Sequence, residues 1–294
     1  MSEAALVEVT ETAPAVPAAA APPTPRYVLR FGRVDRTLHG FLMFSFLGLS
    51  LTGMPVLFSD ARWAARLAGV FGGFAAAHLL HRVFASIMIA VFLIHVARLV
   101  YRVAARRDFS IFWGPTSMVP QPRDLRDMYQ MFRWFLGLGA RPVFDRYTYW
   151  EKFDYWAVFW GMGIIGGSGL LLWFPVAFSH VVPGWVYNIA LLLHGEEALL
   201  AVGFIFTIHF FNGHLRPEKF PMDLVIFTGR ISEEEMRIER PAEYARHTAA
   251  GAAPPDAGPP SRRSSLVGRF VGTTAVALGL TLVALIIFAL AAHL

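Results

Sequence analysis

The stretch LLLHGEEALLAVGFIFTIHFFNGH, residues 191–214, sets three histidines (His194, His209 and His214) and two adjacent glutamates (Glu196 and Glu197) into an almost wholly apolar run. Ionisable groups are costly in such a run and mark function when they occur in a membrane. Of the ten histidines, His39, His78, His81, His95, His194 and His209 lie within or at the ends of four such runs, and His214 lies just past the fourth. Neutral imidazole is a ligand for iron, copper or zinc, and two imidazoles from facing helices can hold a metal from both sides. His78, His180, His247 and His293 lie at ends or in loops, where solvent or a hydrogen bond accounts for them.

Five runs are long enough to cross a bilayer, which takes about 20 apolar residues: 38–58, 78–101, 155–178, 185–211 and 267–294. With 55% hydrophobic and 16% charged residues, the 294-residue chain is too apolar for an ordinary soluble domain. The runs lack the period-2 alternation of barrel strands. The fold class expected is an all-α membrane protein: a four-helix transmembrane bundle plus a fifth C-terminal transmembrane helix.

The net charge of +5 is not a nucleic-acid signal, because the cations sit in particular loops. Arg26, Arg30, Arg33 and Arg36 precede the first run, and nine Lys and Arg fall in each of 102–152 and 212–269. The 59–77 connection holds only Arg62 and Arg66, and 179–184 holds none. Lys and Arg mark cytoplasmic loops, so we expect a multi-pass protein of the bacterial cytoplasmic (inner) membrane, N-terminus cytoplasmic and C-terminus periplasmic. Residues 1–25 read as a disordered Ala/Pro-rich tail, not a signal peptide. The core domain spans 26–246, with a cytoplasmic interfacial helix near 122–138 whose Leu125, Met128, Phe132 and Phe135 share one face. Residues 247–265 read as a disordered linker that separates a single helix, 266–294, from that core.

Helix direction sets depth. The second and fourth runs both start outside, so His81 and His194 share the outer level. His209, 15 residues beyond His194 and roughly 22 Å deeper at about 1.5 Å per residue, shares the cytoplasmic level with His39 and His95. Facing imidazoles at two levels suit two stacked haems, an electron path across the membrane. Zinc would not need two levels so far apart, and no thiol or carboxylate completes such a site at each. With no cysteine, thiolate clusters and covalent c-type haem are excluded. Arg36, three residues before His39, and Arg82, next to His81, are suited to propionate carboxylates. Thr52–Gly53 and the small residues Gly166–Gly169 permit close approach of helices or of a flat macrocycle.

RVDRTLHGF with LTG, LLHRVFAS, WEKFDYWAVFWGMGIIGGSGLLLWFP and LLLHGEEALLAVGFIFTIH, covering about residues 30–212, resemble the four helices of the cytochrome b subunit of formate dehydrogenase, its nickel–iron hydrogenase relatives and other cytochrome b/b6-type membrane subunits. The resemblance implies two b haems, with His81 and His194 on the outer one and His39 and His209 on the inner one. It also implies a quinone site beside the inner haem. Three features depart from that pattern. The fourth-helix histidines are 15 apart, where the family usually has 14, so a bulge or another ligand is expected. His95 offers an alternative to His39 opposite His209, or joins His214 around a third haem. The tail HFFNGHLRPEKFPMD, followed by ERPAEY, looks like b-type subunits that accompany periplasmic multihaem c cytochromes.

The function expected is a membrane-anchoring electron-transfer subunit of a quinone-linked oxidoreductase. It would connect a periplasmic redox subunit (a multihaem cytochrome c or an iron–sulfur/molybdenum dehydrogenase) to the membrane quinone through two or three b haems, with no nucleic-acid partner. For quinone protons, Asp108, Asp124, Glu151, Asp154, Asn212 and His214 are candidates on the cytoplasmic side; Glu196 and Glu197 lie on the outer side. A solvated charge is the bland reading of each. The rival from another class is a haem-free polytopic scaffold or transporter subunit. A transmembrane flavin reductase would need a G-x-G-x-x-G nucleotide domain, which this sequence does not contain.

Overall fold

The computed structural model describes residues 25–249, 251 and 255–292. Five helices are long and apolar enough to cross a membrane: α1 (Arg33–Leu57), α3 (Phe74–Ala104), α5 (Tyr149–Trp173), α6 (Trp185–Leu215) and α9 (Arg262–Ala292). Their 25 to 31 residues exceed the hydrocarbon thickness, so each carries polar turns beyond its apolar core. α5 ends at Trp173 rather than running on to 178, because Phe174 leaves helical geometry (φ −120°, ψ 52°) ahead of Pro175. The 59–77 connection folds into a short helix, α2 (Arg62–Val70), which buries Trp63, Ala64 and Ala68.

α1 packs on α3, and α5 on α6, giving two antiparallel pairs that face each other. Gly48 lets α1 approach α3, since a Cβ there would stand 2.5 Å from the Phe84 ring. One end of the bundle carries only the short connections and is here the narrow end. The other, the broad end, carries the long loops and the helices α4 (Pro122–Phe135), α7 (Glu233–Glu239) and α8 (Pro241–Ala249). α4 starts at Pro122, and its N-cap Gln121 donates its backbone N–H to Asp124 at 2.6 Å. Its polar side points inward: Asp127 is buried, and Asp124 holds Lys152 of α5 at 2.8 Å. Leu125, Phe132 and Phe135, at 60% exposure or more, point outward. Such inverted amphipathicity suits a lipid interface and not water.

At the broad end, β1 (Tyr27–Leu29) pairs antiparallel with β2 (Arg230–Ser232), Val28 opposite Ile231. Beneath it lies a buried ion network. Arg30 contacts Glu243 at 3.2 Å and Glu151 at 3.5 Å, and Arg240 reaches Glu151 at 2.9 Å. Lys219 pairs with Asp223, Glu235 and Glu239. Burial alone would raise the Glu239 carboxyl, but Lys219 and Arg216 outweigh it and hold the group below the ordinary glutamate value.

The C-terminal third departs from expectation. The segment 247–265 is not a separating linker where it is described. Residues 247–249 belong to α8. Asp256 bridges to Val28 and accepts the Tyr27 N–H at 3.1 Å, and Ala257 donates to the Tyr27 carbonyl at 2.7 Å. Residues 250 and 252–254, like most of the expected N-terminal tail (1–24), lie outside the described residues. α9 is built into the bundle instead of standing apart from it. It buries Gly268, Gly272, Ala275, Gly279, Leu282, Ile286 and Ala289, a stripe of alternating four- and three-residue steps. A Cβ on Gly279 would stand 2.6 Å from the Phe206 ring, and one on Gly272 2.6 Å from Met222 Sδ. Leu282, Ile286 and Ala289 complete the apolar core with Met54, Trp63 and Phe206.

Candidate functional site

Two clusters of imidazoles lie inside the helix pairs, one toward each end. Toward the narrow end, His81 of α3 and His194 of α6 face each other, with ring centres 6.2 Å apart and ring planes crossed at 74°. Each ring is held by the other helix of its own pair, in matching ways. Thr52 Oγ1 of α1 lies 3.1 Å from His81 Nδ1, and Ser168 Oγ of α5 lies 3.3 Å from His194 Nδ1. On α5 a carbonyl takes part as well: Ile165 O, three residues before Ser168, lies 3.0 Å from His194 Nδ1. The residue after each hydroxyl is a glycine. A Cβ on Gly53 would stand 2.9 Å from His81 Cε1, and one on Gly169 2.9 Å from His194 Cε1. Any side chain at either position would displace its ring.

These contacts settle the tautomer. Thr52 donates its hydroxyl hydrogen to the Gly48 carbonyl at 2.7 Å, and Ser168 donates to the Ile164 carbonyl at 2.6 Å. Each hydroxyl oxygen is then an acceptor toward the ring, and a carbonyl can only accept. So Nδ1 carries the proton on both His81 and His194, and each Nε2 keeps a bare lone pair. A first-row metal bonds imidazole nitrogen at about 2.0–2.1 Å, and each nitrogen lies ~1.1 Å from its ring centre, so rings sharing one metal have centres about 6.3 Å apart. The observed 6.2 Å matches that spacing. Two neutral imidazoles fixed by Nδ1–H bonds, with glycine against both rings, fit the axial ligand set of a haem.

Toward the broad end, His209 Nδ1 lies 2.9 Å from Asp154 Oδ2 of α5. A carboxylate there fixes the Nδ1–H tautomer and leaves Nε2 free, as at the narrow end. α6 reaches this geometry through a wide π-helical turn, Ile205–His209, followed by a second, Phe211–Leu215. A wide turn takes up one extra residue, which turns His209 back by about 100°. A bulge, one of the two outcomes that the longer spacing left open, is therefore present between the two histidines. The second wide turn brings His214, five residues on, to the same side as His209. His39 of α1 is half-buried and, among the described residues, makes no hydrogen bond or ring contact with either. His214 stacks on Phe227, with ring centres 6.5 Å apart, and its Nδ1 is buried without a partner.

His95 is engaged elsewhere. Its Nε2 bonds the Tyr155 hydroxyl at 2.9 Å, and its ring packs edge-on against Tyr155 and Phe159. Arg36 donates to the Phe227 carbonyl at 2.5 Å, while its Nε is buried without a partner. Arg82 lies over the Trp173 ring, 5.7 Å from its centre. Of the proton-carrying candidates, Asp108 caps a short turn and pairs with Arg102. Asp124 is held by Lys152, and Glu151 caps α5 between Arg30 and Arg240. Glu197 accepts from Trp160 Nε1 at 3.3 Å, and Asn212 is half-buried.

Sequence reasoning took Thr52–Gly53 and Gly166–Gly169 as small residues that admit a close helix or a flat macrocycle, and Asp154 as a candidate proton carrier, and missed that Thr52, Ser168 and Asp154 contact imidazole nitrogens. The signal available was the shared pattern of an aliphatic residue, two intervening residues, a hydroxyl residue and a glycine: Leu49 to Gly53 and Ile165 to Gly169. Neither a known protein-family model nor a curated protein matches this chain.

Proposed function

We propose that the chain is a membrane-embedded b-type cytochrome subunit, carrying electrons between a periplasmic redox partner and membrane quinone. The observation that carries this reading is the His81–His194 pair, its Nδ1 protons committed to α1 and α5 and its ring centres one metal apart. With Nδ1 committed to a helix neighbour, Nε2 is the nitrogen each imidazole can offer to a metal. Bound haem would supply one-electron chemistry that no side chain here supplies.

The remaining roles belong to the protein. His81 and His194 would hold the haem of the narrow end, assigned to the periplasmic side. His39 and His209 would hold that of the broad end, assigned to the cytoplasmic side. Thr52, Ser168 and Asp154 keep the lone pairs aimed. Gly53 and Gly169 keep side chains away from the rings, and the apolar helices keep water out. Quinone would meet the broad end, where the nitrogens His214 Nδ1 and Arg36 Nε are buried without partners. The cytoplasmic assignment of that end rests on the Lys and Arg bias of its loops.

The test is haem per polypeptide on the purified chain by pyridine haemochrome, with a dithionite-reduced spectrum. Two b haems per chain are expected. A haem-free chain would overturn the reading in favour of a scaffold or transporter subunit.

A further inference from the structure

The two helix pairs treat the imidazoles of the narrow end alike, and helix packing alone does not require this. In α1 the Thr52 hydroxyl and Gly53 border one edge of His81. In α5 the Ile165 carbonyl, Ser168 hydroxyl and Gly169 surround the same edge of His194. Each hydroxyl also spends its hydrogen on the carbonyl four residues before it. Its oxygen is thereby locked as an acceptor at one fixed point beside Nδ1. The hydroxyl, joined at His194 by the Ile165 carbonyl, constrains the direction in which each Nδ1–H points and so restrains each ring. The two ring planes cross at 74°.

We infer that Thr52 and Ser168 are positioning residues that fix the crossed orientation of the two imidazole planes and set the electronic properties of the metal between them. The inference rests on the haem reading above. An Nδ1–H hydrogen bond gives the ring imidazolate character and makes Nε2 a stronger donor, which favours the ferric state. Near-perpendicular axial imidazoles leave the iron d-orbitals nearly degenerate, and low-spin ferric haem then has a highly anisotropic paramagnetic resonance signal. Parallel planes give a rhombic one. Loss of either hydroxyl frees its ring to rotate about the metal–nitrogen axis and weakens its donation.

The experiment uses the full chain, purified with its haem, and compares wild type with Thr52→Val, Ser168→Ala, Thr52→Ser and Ser168→Thr. Haem content, ferric paramagnetic resonance spectrum and potentiometric titration are read for each. The wild type should show one highly anisotropic low-spin signal assignable to the narrow-end site. In Thr52→Val and Ser168→Ala that signal should shift toward the rhombic form and the midpoint potential of that haem should rise. Thr52→Ser and Ser168→Thr should keep both properties. Loss of one haem in Thr52→Val or Ser168→Ala, with retention in the hydroxyl-bearing variants, supports the same role. Unaltered signal and potential in Thr52→Val and Ser168→Ala, or equal loss of haem in all four variants, would overturn it. A wild type that contains no haem sinks the cytochrome reading itself, an outcome separate from these.

Discussion

Asp154 is the residue whose role changes most once its surroundings are known. It is a carboxylate on a membrane helix, one of its oxygens bound to His209 Nδ1 at 2.9 Å and the other buried without a partner. An isolated carboxylate at that position would be costly. Against an imidazole it fixes ring orientation and strengthens Nε2 as a donor. Asp154→Asn keeps the shape and removes the charge. On the proposed cytochrome reading, it should weaken haem binding at the broad end by about 10–100-fold and leave the narrow end intact, as such outer partners do for metal sites. Haem titration of the two chains checks this. Equal affinities would mean that the carboxylate serves something other than His209. The hydroxyls at the other end work through neutral contacts of 3.1 and 3.3 Å, so a softer effect is expected there.

At the scale of elements, the wide turn in α6 and the glycine stripe of α9 are linked. The turn Ile205–His209 brings Phe206 and Phe210 into the bundle, and α9 lies against both through Gly279. Deleting the exposed Thr207 should turn the wide turn into ordinary α-helix while His209 keeps its side, so both haems should remain. Inserting an alanine after Thr207 adds about 100° and should lose the broad-end haem. Reduced spectra of the two variants tell them apart, and two haems in the insertion variant would count against the register argument. Gly279→Leu places a side chain where even a Cβ would be 2.6 Å from Phe206. Overpacking of this kind costs about 1–3 kcal/mol. A lower melting temperature in detergent is expected, and an unchanged one would show that α9 is only loosely held.

For the whole molecule, the ends differ in kind. The narrow end has a short helix and a tight turn. The broad end gathers a two-stranded sheet, a buried ion network and the apolar-outward helix α4. The ion network ties Arg30, near the start of the described chain, to Glu243 of α8. That contact joins segments more than 200 residues apart. On the orientation proposed from the Lys and Arg bias, an alkaline phosphatase fused after Leu294 should be active outside the cytoplasm, and one fused after Thr116 should be inactive. The reverse pattern would invert both ends and with them the proposed sides of partner and quinone.

The sequence by itself determined the membrane spans, because about 20 apolar residues in a row leave the backbone no other way to satisfy its hydrogen bonds in lipid. It also determined which histidines share a level, because helix direction alternates and the rise per residue is fixed. The 15-residue interval from His194 to His209, set against the 14 of the family that the sequence resembles, left a bulge or another ligand open, and the structure shows the bulge. Tertiary structure alone decided which nitrogen each imidazole offers, since that depends on Thr52, Ser168 and Asp154, which lie 29, 26 and 55 residues away along the chain. It decided that His95 turns to Tyr155 and that the last helix belongs to the bundle. Periodicity records which residues share a helix face, but the neighbour that face meets is set by how all the helices pack together.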